Sequence, residues 1–376
     1  MGAAEQSGQK KILILANHSG GLYDFRGDLL AAMRRAGRVT AATPRNDKWE
    51  ELSGVTDRCI EVAIDRRGVN PVRDLSLLRR YRALLREEKP DLVVTYTVKP
   101  NIWGGMACRR ARVPYAVNIT GLGSALENGG LLRRIILFLY KKALAGARVV
   151  FFENSRDRDV LCATGVVPAG RDVVLPGAGV NLTVHPALPY PADGPVHFLF
   201  VGRVMREKGI DEFLAAARRL KAARGDAVSF EIVGNLEESY RETLAQCEAD
   251  GIAAYTGVLT DVTPAYRRAH VVVLPSYHEG MSNVLLEGAA SARPLITSDI
   301  PGCREAVVPG ESGLLCPPRD ADALYAAMEK LAAMPRDARQ EMGRRGCAHI
   351  TAHFNKTDVV ATTLAALGLA DAAPTV

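Results

Sequence analysis

The sequence predicts an α/β protein of two doubly wound domains. Short apolar runs alternate with longer amphipathic stretches along most of its 376 residues, which is the pattern of parallel strands joined by helices. The alternation stops between Pro176 and Pro195, where five prolines and three glycines predict a linker. We therefore predict one domain over residues 1–185 and a second over residues 186–354, followed by a C-terminal helix at about 355–370.

Near-continuous apolar runs predict strands that are buried on both faces of a sheet. The predicted strands are Ile12–Ala16, Val39–Thr43, Asp91–Tyr96, Tyr115–Ile119 and Val149–Phe152, then Val196–Val201, Phe230–Val233, Val271–Leu274 and Leu295–Thr297. Amphipathic stretches between and after them predict helices. The predicted helices are Asp24–Ala36, Arg73–Glu88, Gly209–Ala223, Glu237–Ala249, Asn283–Ser291, Asp320–Ala333, Pro335–His349 and Lys356–Leu369.

Composition limits the class of protein. Hydrophobic residues make up 48% and charged residues 24% of the chain, as in soluble globular proteins. The longest apolar run near the middle, Ile135–Tyr140, has six residues, against the roughly 20 that a spanning helix needs. We find no signal peptide, and seven scattered cysteines predict neither disulfides nor a zinc site. These features predict a cytoplasmic protein.

The charge is uneven along the chain. Up to His185 there are 29 Lys and Arg against 18 Asp and Glu, a net +11, whereas the remainder carries −5. A basic half is either a solvated surface or a face that meets phosphates or an anionic membrane. We expect no nucleic acid partner, because no nucleic-acid-binding motif accompanies the charge.

Three segments follow predicted strands and could carry chemistry, since ligands of doubly wound sheets bind beyond the carboxyl ends of strands. The first contains Gly20 and Gly21, which could bring backbone N–H groups to an anion or only form a tight turn. The full dinucleotide fingerprint is absent, which argues against NAD. The second contains Arg203 and Lys208, which could together neutralise a diphosphate or be solvated surface cations.

The third segment begins at Ser276 and contains Glu279 in a loop and Glu287 two helical turns further on. Carboxylates at these places can accept hydrogen bonds from sugar hydroxyls. Either could also be an ordinary acid, Glu279 at a helix start and Glu287 on a solvated helix face. Between them lies a predicted helix N-terminus that would approach negative charge, formed by Gly280, Met281, Ser282 and Asn283.

Together these residues resemble the glycosyltransferases of family 4, and the resemblance extends over nearly the whole chain. Glu279 and Glu287 match the Glu-x7-Glu signature of that family. The resemblance implies the GT-B fold, in which two Rossmann-like domains face each other across a cleft. It also implies that the C-terminal helix at about 355–370 returns to the first domain. It also implies that Arg203 and Lys208 bind the donor diphosphate, that Glu279 contacts the donor sugar and that Glu287 holds the ribose.

By the same resemblance, Gly20 and Gly21 lie at the phosphate side of the donor. The donor base would rest mainly against backbone, near Gly234, Asn235, Val258 and Leu259. Such enzymes retain anomeric configuration and generally need no metal, since basic residues and helix N-termini replace one. We therefore expect no cofactor and no metal.

Many family members have a histidine after a strand of the first domain, hydrogen-bonded to the donor sugar, and Thr120 stands at the matching position here. The role of that histidine therefore does not carry over as imidazole chemistry. The segments Thr97–Asn101 and Asn118–Gly123 are similar to a narrower bacterial branch. That branch adds N-acetylgalactosamine or a similar sugar to polyprenyl-diphosphate-linked sugars.

The acceptor side has its own candidate residues. Lys99 could face the diphosphate of the acceptor or be a solvated loop lysine. His18 or Asp24 could serve as the base for the acceptor hydroxyl, because each is predicted near the cleft and histidine titrates near neutral pH. For His18, a loop histidine without a role is the alternative.

A predicted helix around Leu131–Lys142 combines bulky apolar residues with the cations Arg133, Arg134, Lys141 and Lys142. It could lie in the headgroup region of an anionic membrane, or it could be a core helix with a basic edge. We favour membrane contact, because a lipid-linked acceptor requires the active site to approach the bilayer.

The sequence thus predicts a retaining glycosyltransferase that uses a UDP-sugar, such as UDP-N-acetylgalactosamine, at the cytoplasmic face of the inner membrane. Its predicted acceptor is a polyprenyl-diphosphate-linked saccharide. The alternatives are a nucleotide-sugar epimerase of the same architecture, a glycosyltransferase with a soluble acceptor, and a catalytically silent sugar-nucleotide-binding scaffold.

Overall fold

Each half of the chain folds around its own parallel sheet. The computed structural model describes residues 9–65, 68, 70–122 and 130–370. The first unit comprises the chain up to Ala178 and takes back the chain from Thr357, and the second comprises Gly179–Lys356. Within the described residues, no helix is long and apolar enough to cross a bilayer.

The described part of the first unit contains a sheet of seven parallel strands in the order β3-β2-β1-β4-β5-β6-β7. Apolar side chains fill both faces of its central strands, as expected for a parallel sheet between two helical layers. The strands are β1 Lys10–Leu15, β2 Gly37–Thr43, β3 Arg58–Glu61, β4 Leu92–Tyr96, β5 Tyr115–Ile119, β6 Val149–Phe152 and β7 Asp172–Val174.

Helices cover both faces of this sheet. In chain order they are α1 Ser19–Ala36, α2 Trp49–Val55, α3 Pro71–Glu88, α4 Gly105–Ala111, α5 Gly130–Leu144 and α6 Ser155–Ala163, with a π-helical turn at Pro100–Gly104. The last helix of the chain, Lys356–Ala366, also belongs here, because its Val359, Val360 and Leu364 join the apolar cluster of Ile12 and Ile14.

The second unit contains a sheet of six parallel strands in the order β10-β9-β8-β11-β12-β13. One large apolar cluster packs its strands against its helices. The strands are β8 Val196–Val201, β9 Val228–Val233, β10 Ala254–Gly257, β11 Val271–Leu274, β12 Leu295–Ser298 and β13 Gly313–Cys316. The helices of this unit are α7 Ile210–Arg224, α8 Arg241–Ala249, α9 Thr263–Arg268, α10 Asn283–Ala290, α11 Ala321–Ala333 and α12 Arg336–His353. The last helix of the chain, Lys356–Ala366, which packs on the first unit, is α13.

Strand order determines where each sheet can hold a ligand. In the first sheet the order reverses between β1 and β4, and in the second it reverses between β8 and β11. The connections leave neighbouring strands in opposite directions at such a point, so a crevice opens at the carboxyl ends of the two strands. The loops that follow β8 and β11 are those that contain Arg203 and Glu279.

Most of the predicted linker is part of the second unit, which begins at Gly179, seven residues before the start that the sequence predicts. Leu188 is buried in the second core, together with Val180. Two arginines of the second unit hold the carbonyl groups of the proline-rich segment: Arg293 donates to those of Leu188 and Pro189, and Arg336 to those of Tyr190 and Pro191. Proline offers no N–H for a sheet or helix, so the carbonyls of this segment are satisfied by side chains instead.

An ionic cluster around the buried Glu231 connects three strands of the second sheet. Glu231 on β9 accepts hydrogen bonds from Arg268 at 2.7 Å and Thr256 at 2.8 Å, and lies 3.0 Å from His197 Nε2. These bonds, the one to His197 foremost, lower the pKa of the Glu231 carboxyl to about 2. A carboxyl whose pKa is lower in the folded state stabilises that state above its unfolded pKa, and the contribution is lost as the pH falls toward the folded value.

We expect Glu231→Gln to reduce the free energy of unfolding of the protein by about 2 kcal/mol at pH 7, because it removes a charged hydrogen-bond acceptor. The difference from the native protein should stay constant down to about pH 4.5 and shrink below it. Urea unfolding at a series of pH values measures this. A difference that grows as the pH falls would contradict the assignment.

Candidate active site of the second unit

Lys208 and Glu279 form an ion pair at the carboxyl edge of the second sheet. Nζ of Lys208 lies 2.5 Å from Oε1 of Glu279, and Ser276 Oγ donates to the same oxygen over 2.9 Å. The two charged side chains are only 19% and 12% exposed. The resemblance predicts that these two residues share one site, and the structure brings them into direct contact.

Close backbone contacts fix the two segments that contain this pair. Lys208 ends a short 3₁₀ turn, Arg206–Lys208, and the next residue, Gly209, has φ 73°. A Cβ at Gly209 would lie 2.1 Å from the carbonyl oxygen of Pro275, so only glycine permits the approach. The N–H of Tyr277 also donates to the carbonyl of Glu207 over 2.9 Å. The turn after β8 and the loop after β11 therefore hold each other in register.

Arg203 is exposed, and within the described part of the chain it forms no ion pair. It follows Gly202 directly at the end of β8, next to the crevice between β8 and β11. The two predicted diphosphate ligands thus differ in environment. Lys208 is held by a carboxylate, whereas the Arg203 guanidinium is free to reach a ligand.

Three neighbouring strands end in glycines with positive φ, namely Gly202 after β8, Gly234 after β9 and Gly257 in β10. At Gly234, a Cβ would lie 1.8 Å from the carbonyl oxygen of Gly202. This part of the sheet edge therefore presents backbone instead of side chains, a surface suited to the flat face of a base. Of the predicted base contacts, Asn235 follows Gly234 and uses its carbonyl to accept from Val204 N–H. Val258 is exposed and Leu259 half-buried in the loop after β10.

The loop between Glu279 and α10 is fixed by Gly302. The carbonyl of Gly302 accepts from the N–H of Ser282 over 2.8 Å, and a Cβ on Gly302 would lie 2.6 Å from the carbonyl oxygen of Glu279. Met281 is buried in the second core, so its side chain packs there. Ser282 is the N-cap of α10 and Asn283 its first residue. Gly280 joins this N-terminus to Glu279.

Glu287 lies in the second turn of α10. The hydroxyl of the buried Tyr266 donates to its Oε2 over 3.1 Å, and His185 Nε2 lies 3.9 Å from its Oε1. Burial, with a smaller contribution from Lys356, lowers the pKa of His185, so the imidazole is neutral at pH 7. The sequence carries no signal for Tyr266 or His185, because 21 and 102 residues separate them from Glu287.

In the first unit, the predicted acceptor-side base candidates both have partners. His18 is the N-cap of α1: its Nδ1 accepts from the N–H of Gly21 over 3.1 Å, and its Nε2 lies 3.1 Å from Asp47 Oδ1. Asp24 lies 2.5 Å from the ammonium of Lys48. The predicted glycine pair is inside α1 and does not precede it, because the helix starts five residues before its predicted start. A Cβ at Gly20 would lie 2.4 Å from Asp47 Oδ2.

The Thr97–Asn101 segment follows β4 and leads into the π-helical turn. Lys99 forms a half-buried ion pair with Asp74, 2.7 Å away, so its charge is already balanced within the unit. Thr97 has φ 72°, a strained conformation for a β-branched residue. Thr120 follows β5 and is half-buried. Gly123, at the end of the second matching segment, lies outside the described residues.

Helix α5 exposes a row of large apolar side chains. Leu131 and Phe138 are 72% and 59% exposed, and Leu132 and Ile135 are nearly half exposed. The spacing of 131, 135 and 138 puts these residues on one face of the helix. The predicted membrane cations are on the same helix, with Arg134, Lys141 and Lys142 exposed and Arg133 half-buried.

Comparisons with known proteins cover both units. A glycosyl transferase 4-like domain matches residues 20–178, and the glycosyl transferases group 1 family matches residues 195–334. The N,N′-diacetylbacillosaminyl-diphospho-undecaprenol α-1,3-N-acetylgalactosaminyltransferase of Campylobacter jejuni is 25% identical over 81% of this chain and 84% of its own length. The capsular polysaccharide biosynthesis glycosyltransferase CapM of Staphylococcus aureus is 24% identical over the same shares.

Among solved structures, Anabaena HepE in complex with UDP is similar with a TM-score of 0.78. It is 16% identical, and the match covers 95% of this chain and 99% of that one. Such neighbours have the GT-B fold, which confirms the predicted fold class. The chain therefore belongs to the glycosyltransferases, with a glycosyl transferase 4-like domain followed by a group 1 domain.

Proposed function

We propose that this glycosyltransferase moves an N-acetylhexosamine, such as N-acetylgalactosamine, from a UDP-sugar to a polyprenyl-diphosphate-linked saccharide, with retention of configuration. Such a reaction serves bacterial surface-glycan or glycoprotein assembly. The observation that carries the donor half of the proposal is the contact of Lys208 with Glu279 at the order reversal of the second sheet, where β8 leads into the exposed Arg203.

In this proposal the UDP diphosphate lies at the carboxyl ends of β8 and β11. Arg203 binds it through the planar guanidinium, and Lys208 turns its ammonium from Glu279 toward the phosphate oxygens. Glu279 then accepts hydrogen bonds from the donor sugar. Glu287 accepts from the ribose, and the backbone after β9 and β10 contacts the base. The UDP bound to the similar Anabaena protein supports this choice of nucleotide.

The charge that develops on the leaving group is the main electrostatic demand of the reaction. As the bond from the anomeric carbon to the phosphate oxygen breaks, negative charge grows on the diphosphate. Arg203 and Lys208 both follow β8 at the sheet edge, so once they bind the diphosphate they stabilise that charge. No metal is assigned a role in this proposal, because two cations and the N-terminus of α10 supply the positive potential.

The acceptor hydroxyl must lose its proton as its oxygen bonds to the anomeric carbon. His18 Nδ1 already accepts from Gly21, and Asp24 already pairs with Lys48. We therefore assign the proton to the departing phosphate oxygen, which takes it as the glycosidic bond forms on the face that the leaving group vacates. Bond breaking, bond formation and proton transfer then balance without a further base.

The acceptor half of the proposal has separate support. The two relatives that match four fifths of this chain are, by name, an undecaprenol-diphosphate sugar transferase and a capsular polysaccharide glycosyltransferase. Lys99 could exchange Asp74 for the acceptor diphosphate, and Thr120 would lie near it. In this proposal α5 inserts its apolar face into the cytoplasmic leaflet, and its cations bind anionic headgroups.

Direct assays test the reaction. We expect release of UDP from a UDP-N-acetylhexosamine only when a polyprenyl-diphosphate saccharide is present, with the product linkage retaining the donor configuration by NMR. Epimerised donor without acceptor would establish the epimerase alternative. Turnover with a soluble saccharide alone would show that the acceptor need not be lipid-linked. Binding of the donor without any turnover would support the catalytically silent scaffold.

We expect Arg203→Ala and Lys208→Ala each to lower kcat/KM at least a hundredfold, on the order of 3 kcal/mol of transition-state stabilisation. Arg203 is exposed and unpaired within the described chain, so its replacement should leave the melting temperature unchanged. Arg219→Ala, which removes an exposed arginine paired with Asp322, is the matched control and should keep full activity. Full activity of Arg203→Ala would overturn the diphosphate assignment.

Chelation tests the absence of a metal. We expect the transfer rate of protein purified in EDTA to equal that of untreated protein, and added Mg²⁺ or Mn²⁺ to change it less than twofold. A rate that falls tenfold in EDTA and returns with one divalent cation would show that the two basic residues are insufficient.

Vesicle binding tests the role of α5. We expect the protein to sediment with vesicles of phosphatidylglycerol, and salt to weaken the binding. Replacing Leu131 and Phe138 by serine should weaken it about tenfold, because both side chains would lose their contact with lipid. The matched control replaces Val72 and Leu75, exposed apolar residues of α3. Equal loss in both double variants would mean that α5 is not the membrane contact.

A further inference from the structure

The carboxylate of Glu287 is held by a residue outside the family signature. Tyr266, in the last turn of α9, is fully buried, and its hydroxyl donates to Glu287 Oε2 over 3.1 Å. The same hydroxyl lies 3.3 Å from the carbonyl oxygen of Val284, one turn earlier on α10. One phenol therefore contacts both the side chain of Glu287 and the backbone of its helix.

The backbone of Tyr266 is held by a buried arginine. Nε of the fully buried Arg293 donates to the Tyr266 carbonyl over 2.7 Å. The rest of the same guanidinium binds the carbonyls of Leu188 and Pro189. The Tyr266 ring is fully buried in the apolar cluster of the second unit, so packing holds the phenol in place.

The Tyr266 phenol stays protonated and can donate its hydrogen bond to Glu287. Burial, together with the neighbouring carboxylate of Glu287, raises the pKa of Tyr266 well above its usual value, so the hydroxyl keeps its proton at all physiological pH values. An ionised carboxylate offers about four acceptor positions. The bond from Tyr266 thus fixes the direction of the carboxylate without exhausting its capacity to accept.

We propose that Tyr266 is a positioning residue for the nucleotide: it holds the Glu287 carboxylate in the orientation that accepts the ribose hydroxyls of the donor. This inference rests on the proposed function, because it requires a ribose at Glu287. It adds a residue that does not touch the nucleotide and that determines how strongly the ribose is recognised.

Calorimetric titration with UDP and with 2′,3′-dideoxy-UDP tests the proposal, since the second nucleotide lacks both ribose hydroxyls. We expect Tyr266→Phe to weaken UDP binding about tenfold, the usual effect of losing a hydrogen bond to a charged group. The same variant should bind the dideoxy nucleotide as the native protein does. In turnover, KM for the UDP-sugar should rise about tenfold while kcat changes less than threefold.

Tyr190→Phe is the matched control, because it removes another buried tyrosine hydroxyl of the second unit, bonded to the His270 carbonyl at the opposite edge of the sheet. It should leave both affinities unchanged. In a Glu287→Gln background, Tyr266→Phe should cause no further tenfold loss, since the two residues act as one unit. Melting temperatures verify that each variant is folded.

Three outcomes would overturn the inference. Equal UDP affinity of Tyr266→Phe and native protein would show that the hydrogen bond has no effect on the ligand. Equal losses for UDP and the dideoxy nucleotide would show a structural role that is independent of ribose. If the native protein binds no uridine nucleotide, the proposed function fails together with this inference, whereas the first two outcomes leave the proposed function intact.

Discussion

The contact between the turn after β8 and the loop after β11 is the constraint on which the site depends. Gly209 lets the turn approach the carbonyl of Pro275, and the N–H of Tyr277 donates a hydrogen bond to the carbonyl of Glu207. Because the two segments are fixed to each other, Lys208 and Glu279 meet although 71 residues separate them. A mostly buried ion pair of this kind is stabilising only when its geometry is good and further hydrogen bonds support it, and Ser276 donates one to the same Glu279 oxygen.

Arg293 has a comparable role on the other side of the second unit. It is fully buried, and within the described chain it has no carboxylate partner. Four carbonyl groups and the ring of Tyr190 surround its guanidinium instead. Burial lowers the pKa of Arg293 to about 10, so the group stays charged at neutral pH. One arginine thus ties the proline-rich segment to α9, and through Tyr266 to the helix that contains Glu287.

The strands that could be predicted and those that could not differ in position. The nine predicted strands are all present, each within two residues of its predicted ends. The four that the sequence did not indicate are β3, β7, β10 and β13, and these are the four edges of the two sheets. An edge strand has one neighbour and a partly exposed face, so its side chains are mixed and its pattern is weak. Central strands are buried on both sides and must be apolar.

The sequence by itself determined the fold class, because the alternation of apolar and amphipathic runs is a local property. Through the Glu-x7-Glu spacing and the resemblance it carries, the sequence also predicted Arg203, Lys208, Glu279 and Glu287 as donor-site residues. Only the tertiary structure decided which partner each side chain has. His18 lies against Asp47, Lys99 pairs with Asp74, and Tyr266 holds Glu287. The physical reason is that a hydrogen bond or ion pair depends on distance in space, and these partners are brought together by strand order, which no local pattern encodes.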